Sequence, residues 1–259
     1  MRIKLVALAA AAILAVVAPG ANAITYGKPD GTLHPNVGSI VADYRGDGVL
    51  RQYCSGTLIS ATVFLTASHC TVGLDDIDWA VTFDTDLTPP NELHTGTAHT
   101  NPNYGGGFSD NGDIAVIVFD DAVTGIDPAR LPQARLLSEM RADGTLQTSK
   151  FTNVGYGAGE RSTGGGPPEF EDEPFRQYSF SSFNALNKAW LRLSQNPATG
   201  DAGTCYGDSG GPQFLGGKNS NLLASITVTG DVPCRATNVT YRLDTRSARA
   251  FLADFVPVP

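Results

Sequence analysis

Cys205-Tyr206-Gly207-Asp208-Ser209-Gly210-Gly211-Pro212 is the stretch that decides how the rest of the chain is read. A nucleophilic serine needs its hydroxyl presented on a tight turn, with backbone N–H groups aimed at the oxygen that becomes negative during attack. Glycines on both sides of Ser209 permit such a turn, because they accept backbone angles that other residues avoid. The N–H groups of Gly207 and Ser209 are the natural donors to that oxygen. Taken alone, Gly207 to Gly211 also satisfies G-x-S-x-G, the nucleophile elbow of α/β-hydrolases, whose base follows the serine in the chain. Here His34, His69, His94 and His99 all precede Ser209, so that reading lacks a base.

The order His, then Asp, then Ser is the alternative. Thr66-Ala67-Ser68-His69-Cys70 ends an apolar run and supplies the histidine. Asp113, in Asn111-Gly112-Asp113-Ile114-Ala115-Val116, heads a run that reads as a buried strand. A carboxylate is costly there unless it is hydrogen-bonded, and the imidazole of His69 would be its partner. His34, His94 and His99 have no comparable context and are expected to be structural.

Around these motifs lie short β-rich runs at Val37–Ala42, Thr62–Ala67, Trp79–Phe83, Ile114–Phe119, Phe151–Tyr156 and Leu222–Thr229. Clusters of Gly, Pro, Asn and Asp separate them, the pattern of an antiparallel sandwich or barrel. Helical spacing is clear only near the end, at Ala248, Phe251, Leu252 and Phe255 behind an N-cap at Asp244 or Thr245. Between Gly157 and Pro174, a glycine-proline run is followed by Glu169, Glu171, Asp172 and Glu173. Such a composition predicts an exposed, mobile loop rather than an acidic exosite.

The chain opens with Arg2 and Lys4, an apolar run from Leu5 to Ala18, and Ala21-Asn22-Ala23, which reads as a secretory signal peptide over 1–23. The apolar run is too short for a membrane span. On that reading the exported protein begins at Ile24 and loses two of its 18 basic residues against 26 acidic ones, leaving a net charge of −10. Such a surface repels nucleic acid and anionic lipid, so neither is expected as a partner. Cys54, Cys70, Cys205 and Cys234 are an even number in an exported chain and predict two disulfides over a zinc site. Asp75, Asp76 and Asp78 lack the ordered ligands of an EF-hand, so no metal and no cofactor are expected. Asn238-Val239-Thr240 is a glycosylation sequon.

The motifs together resemble the chymotrypsin/trypsin family of serine proteases. The resemblance is carried by Cys54-Ser55-Gly56-Thr57-Leu58-Ile59, Leu65 to Cys70, Asp113-Ile114-Ala115, Gly155-Tyr156-Gly157, Gly203 to Pro212 and Tyr241-Arg242-Leu243, in the family's order. It implies an all-β protein of two packed six-stranded antiparallel barrels with a C-terminal helix, one barrel over 24–135 and the other over 136–259. It implies a secreted endopeptidase with His69, Asp113 and Ser209 as catalytic residues, Gly207 and Ser209 as the oxyanion hole, and protein or peptide substrates cut by a monomer. Gly203, Thr204 and Gly230 should line the pocket for the side chain preceding the cut. Gly203 stands where trypsin-like members carry an acid, so an uncharged side chain is expected there. Val228 stands where the family has a serine supporting the catalytic Asp, unless Ser225 takes that part. We pair the cysteines as Cys54–Cys70 and Cys205–Cys234, each bridge closing a loop beside a catalytic residue. A cut after Ala23 would expose Ile24-Thr25-Tyr26-Gly27, and the new α-ammonium of Ile24 would pair with Asp208, as in family members after activation. A catalytically silent binding protein and an esterase on the same fold are the competing readings.

Overall fold

A computed structural model describes residues 24–161, 169–171 and 174–259. The expected signal peptide, and the Gly-Pro run and Asp172–Glu173 of the expected acidic loop, lie outside the described residues. Within the segment expected to be a loop, Gly159–Arg161 pairs antiparallel with Glu169–Glu171, a correction to that expectation for these residues.

Six strands build a first sheet: β1 (Val37–Ala42), β2 (Arg51–Ser60), β3 (Val63–Thr66), β4 (Trp79–Thr82), β5 (Gly96–Thr100) and β6 (Ala115–Phe119). Their order is β4-β1-β2-β3-β6-β5, all antiparallel, a half-barrel whose edges approach through the Val81–His94 bridge. Six more build a second: β7 (Lys150–Gly155), β8 (Gln177–Leu186), β9 (Trp190–Ser194), β10 (Pro212–Leu215), β11 (Leu223–Gly230) and β12 (Thr237–Arg242). Here the order β8-β9-β12-β11-β10-β7 closes on itself, because β7 also pairs with β8. Closure removes the exposed edges of that sheet. Lys28–Pro29 adds a two-residue strand to β8, so the segment after Ile24 leaves the first sheet and docks on the second.

Three short helices decorate the sheets: α1 (Ser68–Thr71), α2 (Leu136–Ala142) and α3 (Arg246–Leu252). Thr245 caps α3, its side chain accepting the Ala248 N–H, and Ala248 and Leu252 face the core as the spacing predicts. One apolar cluster runs from Phe64, Leu65 and Ile117 of the first sheet to Phe214, Ile226 and Tyr241 of the second. The two halves therefore share a core. They are also joined by Arg176, 1% exposed, which donates to the carbonyls of Val37, Phe83 and Gly31, to the Tyr156 hydroxyl and to the Asp30 carboxylate.

Candidate active site

The Ser209 turn sits where the halves meet. Gly207 has φ 93° and Gly210 φ 78°, the left-handed region that side chains disfavour. Gly210 also has no room for one, since a Cβ there would lie 2.1 Å from Thr66 Oγ1 and 2.8 Å from the Ala67 nitrogen. This close approach brings the turn against the end of β3, three residues before His69. The turn is held by hydrogen bonds: the Ser55 N–H donates to the Ser209 carbonyl at 2.8 Å, and the Gly210 N–H donates to the Thr227 carbonyl at 2.8 Å. Asp208 and Gly211 N–H are likewise engaged, by the Cys205 and Asp208 carbonyls. The N–H groups of Gly207 and Ser209 have no acceptor among the described residues. Ser209 is half-buried and lines a cavity of the second half.

His69 lies in α1, and Asp113 precedes β6. Asp113 grips the histidine at two points, its Oδ2 lying 2.9 Å from His69 Nδ1 and its Oδ1 accepting the His69 backbone N–H at 3.0 Å. Asp113 is 2% exposed. Bonding to Nδ1 leaves Nε2 as the basic nitrogen. The sequence reading missed Ser68, whose buried hydroxyl donates to the Ile114 carbonyl at 2.8 Å and to the Gly112 carbonyl at 3.2 Å, one residue on either side of Asp113. Asn111 adds to this by accepting the Asp113 N–H at 3.1 Å. The Asn111 contact is a short-range turn bond, whereas Ser68 reaches a segment more than forty residues away, and the only sequence signal for either was adjacency to the motif residues.

The cysteines pair as expected, Cys54–Cys70 and Cys205–Cys234. The first bridge joins β2 to α1, and its Cys70 sulfur lies 3.7 Å from the Ser209 carbonyl oxygen. Cys54, Cys70 and His69 form the one cluster with metal-ligand spacing among the described residues, and its two sulfurs are bonded to each other. Ser225 does not substitute for the missing serine at Val228. Its hydroxyl donates to Gln213 Oε1 and accepts from Thr240, inside the second barrel. Asp113 is supported by the His69 and Ser68 segment instead.

Beside Ser209 opens a cavity of about 310 Å³, lined among others by Thr204, Gly207, Val228, Gly230 and Asp231. Thr204 and Gly230, two of the three residues expected to line a substrate pocket, are on its wall. Gly203 is set behind the wall, and a Cβ on it would lie 1.9 Å from Gln195 Oε1. The Asp231 carboxylate is turned into its own loop, where it accepts the N–H groups of Arg235, Ala236 and Thr237, and this holds its pKa below the ordinary value although partial burial opposes it.

Ile24 and Thr25 are buried, at 0% and 1% exposure. The Thr25 hydroxyl donates to the carbonyls of Gly203 and Cys234, both at 3.1 Å, so this segment is stitched to the back of the same pocket. Asp208 is wholly buried and accepts the Gly157 and Cys205 N–H groups at 2.8 Å, with no cation beside it among the described residues. Burial pushes its carboxyl up to about 7, against the opposing pull of those two hydrogen bonds.

The remaining expectations sit away from this groove. His34 is buried against Asp30 and stacked on Phe214, His94 packs between Phe83 and Phe119, and His99 touches Phe255. Asp75, Asp76 and Asp78 face solvent. Asn238 of the sequon is 0% exposed within β12, closed to any glycosyl transfer on the folded chain. No helix among the described residues is long and apolar enough to cross a membrane. The family model described as Trypsin matches residues 34–251, from just after the docked Ile24 segment to the end of α3.

Proposed function

The chain belongs to the trypsin family, and from that premise we propose that it is a secreted serine endopeptidase working through an acyl-enzyme on Ser209. As Ser209 Oγ adds to the peptide carbonyl, its proton passes to His69 Nε2, while Nδ1–H stays bonded to Asp113. The carbonyl oxygen, now negative, is met by the N–H groups of Gly207 and Ser209. The imidazolium then gives its proton to the departing amine, leaving an acyl ester on Ser209. Water enters, His69 takes one of its protons, and the acyl group leaves as a carboxylic acid. Export, two disulfides and the acidic surface fit a protein that works outside the cell as a monomer. An uncharged side chain precedes the cut, because Gly203 brings no charge and Asp231 spends its carboxylate on its own loop. The Ile24 α-ammonium, once freed, pairs with Asp208 and sets the turn that carries the two N–H donors.

The observation that carries this reading is the two-point hold of Asp113 on His69 beside a turn whose Gly207 and Ser209 N–H groups are free. The test is labelling with a fluorophosphonate probe, then comparison of casein with a simple acyl ester. Labelling at Ser209 with casein cleavage is expected. A folded protein that stays unlabelled is a silent binding protein, and one that turns over the ester alone is an esterase.

A further inference from the structure

Two side-chain amides under the pocket wall have polar atoms with no hydrogen-bond partner among the described residues. Gln195 is 1% exposed and Asn238 0%. Gln195 Nε2 and both Asn238 Nδ2 and Oδ1 are buried without a hydrogen-bond partner. Buried polar groups normally find partners, and each one left over calls for a reason. The Thr204 N–H donates to Gln195 Oε1 at 2.8 Å, which fixes the orientation of that amide and leaves Nε2 as the free donor. Gly230, which lines the cavity, is directly opposite Asn238 in the β11–β12 ladder, so the Asn238 side chain springs from the face on which Gly230 has none. A Cβ on Gly230 would lie 3.8 Å from Gln195 Nε2 and 3.9 Å from the Asn238 Cα. Gln195 thus fills the space against Gly203, and its Nε2, like Asn238, lies behind Gly230, whose Cβ position is 2.9 Å from the Thr237 carbonyl oxygen, so both amides sit just under the cavity surface rather than on it.

We propose that Gln195 and Asn238 are the specificity-determining residues of this pocket and select a glutamine before the scissile bond; the inference rests on the peptidase reading above. A glutamine side chain ends in one acceptor and one donor group. Its carbonyl oxygen accepts a hydrogen bond from the Gln195 Nε2–H, and its NH2 group donates to Asn238 Oδ1. Asn238 has neither atom engaged and turns to suit. A cationic side chain finds no free carboxylate in this floor. An acidic one finds only neutral donors, with Asp231 at the rim. An apolar one of the same length leaves all three polar atoms unsatisfied, and sites built to bond a polar group discriminate strongly against analogues that lack it.

The experiment is a set of peptidyl-coumarin substrates that differ only in glutamine, glutamate, methionine, leucine or lysine before the cut, assayed on protein whose Ser209 has been titrated with a fluorophosphonate. Glutamine should exceed methionine in kcat/KM by at least ~10-fold. Asn238→Leu should lower that ratio by about 10-fold or more. Gln195→Glu keeps an acceptor for the Thr204 N–H but replaces the donor with a negative charge, so it should raise the lysine-to-glutamine ratio at least ~10-fold. These are ratios between substrates on one protein, which a merely structural role for either amide would leave alone. Labelled enzyme that prefers methionine or leucine to glutamine, or whose ratios do not move in the variants, overturns the amide floor and spares the peptidase reading. Protein that neither labels nor turns over any substrate overturns both.

Discussion

Tyr26 holds a backbone φ of 56° and leaves its side chain 52% exposed. A left-handed conformation costs a side-chain-bearing residue about 1–2 kcal/mol, and an exposed ring gives little burial in return. Tyr26→Gly should raise stability by about 1 kcal/mol in denaturant melts. The proposed catalytic set gives a second test. Ser209→Ala, His69→Ala and Asp113→Asn should each lower kcat by several orders of magnitude, and pairs of them should lose little more than singles, because the three act as one unit. These residues were legible from sequence because each sits in a local motif. The proposed roles of Gln195, one residue past β9, and Asn238, in β12, were not, because those two strands meet only in the folded sheet. Asn238 even carried a misleading signal, since a sequon is read without knowing its burial.

Elements whose buried side chains are apolar were readable, and β1 is found at the predicted Val37–Ala42. β8 was missed because its polarity is inverted: Gln177, Ser179 and Ser181 point inward, where the Asn153 amide donates to both serine hydroxyls, while Tyr178 and Phe180 pack together on the other face. Binary patterning assigns such a strand to the wrong face or to none. α3 was legible because its cap and spacing agree, and the Thr245 side chain does take up the Ala248 N–H. Thr245→Ala should cost about 1 kcal/mol, read as a lower melting temperature without loss of activity per folded molecule. Opening the Cys205–Cys234 bridge, which spans 29 residues and borders the pocket, should cost about 2–4 kcal/mol. A Cys205→Ala, Cys234→Ala double variant tests this by denaturant titration.

Across the whole molecule, Arg176 binds the halves and the docked N-terminal segment into one cooperative unit. Arg176→Met should cost about 3–5 kcal/mol, because it leaves the buried Asp30 carboxylate short of its cation. Unfolding of the variant followed by Trp79 and Trp190 fluorescence, one tryptophan in each half, checks whether the transitions separate. Asp208 gives the chain one pH-dependent contribution to stability. While Ile24 is still part of a longer chain, the folded carboxyl titrates at about 7 against an ordinary 3.8. The folded state therefore keeps a proton that the unfolded chain gives up, and stability falls as pH rises from about 4 to 7, by on the order of 4 kcal/mol. Asp208→Asn should abolish that slope. On the proposed pairing of Ile24 with Asp208, the same carboxyl would make maturation a titration event. At pH 6 the uncut protein stores a hydron on Asp208, and an arriving ammonium would displace it to solvent. Cutting after Ala23 in unbuffered solution should then acidify the medium by nearly one equivalent per chain, a stoichiometry readable with a pH-stat and absent in Asp208→Asn.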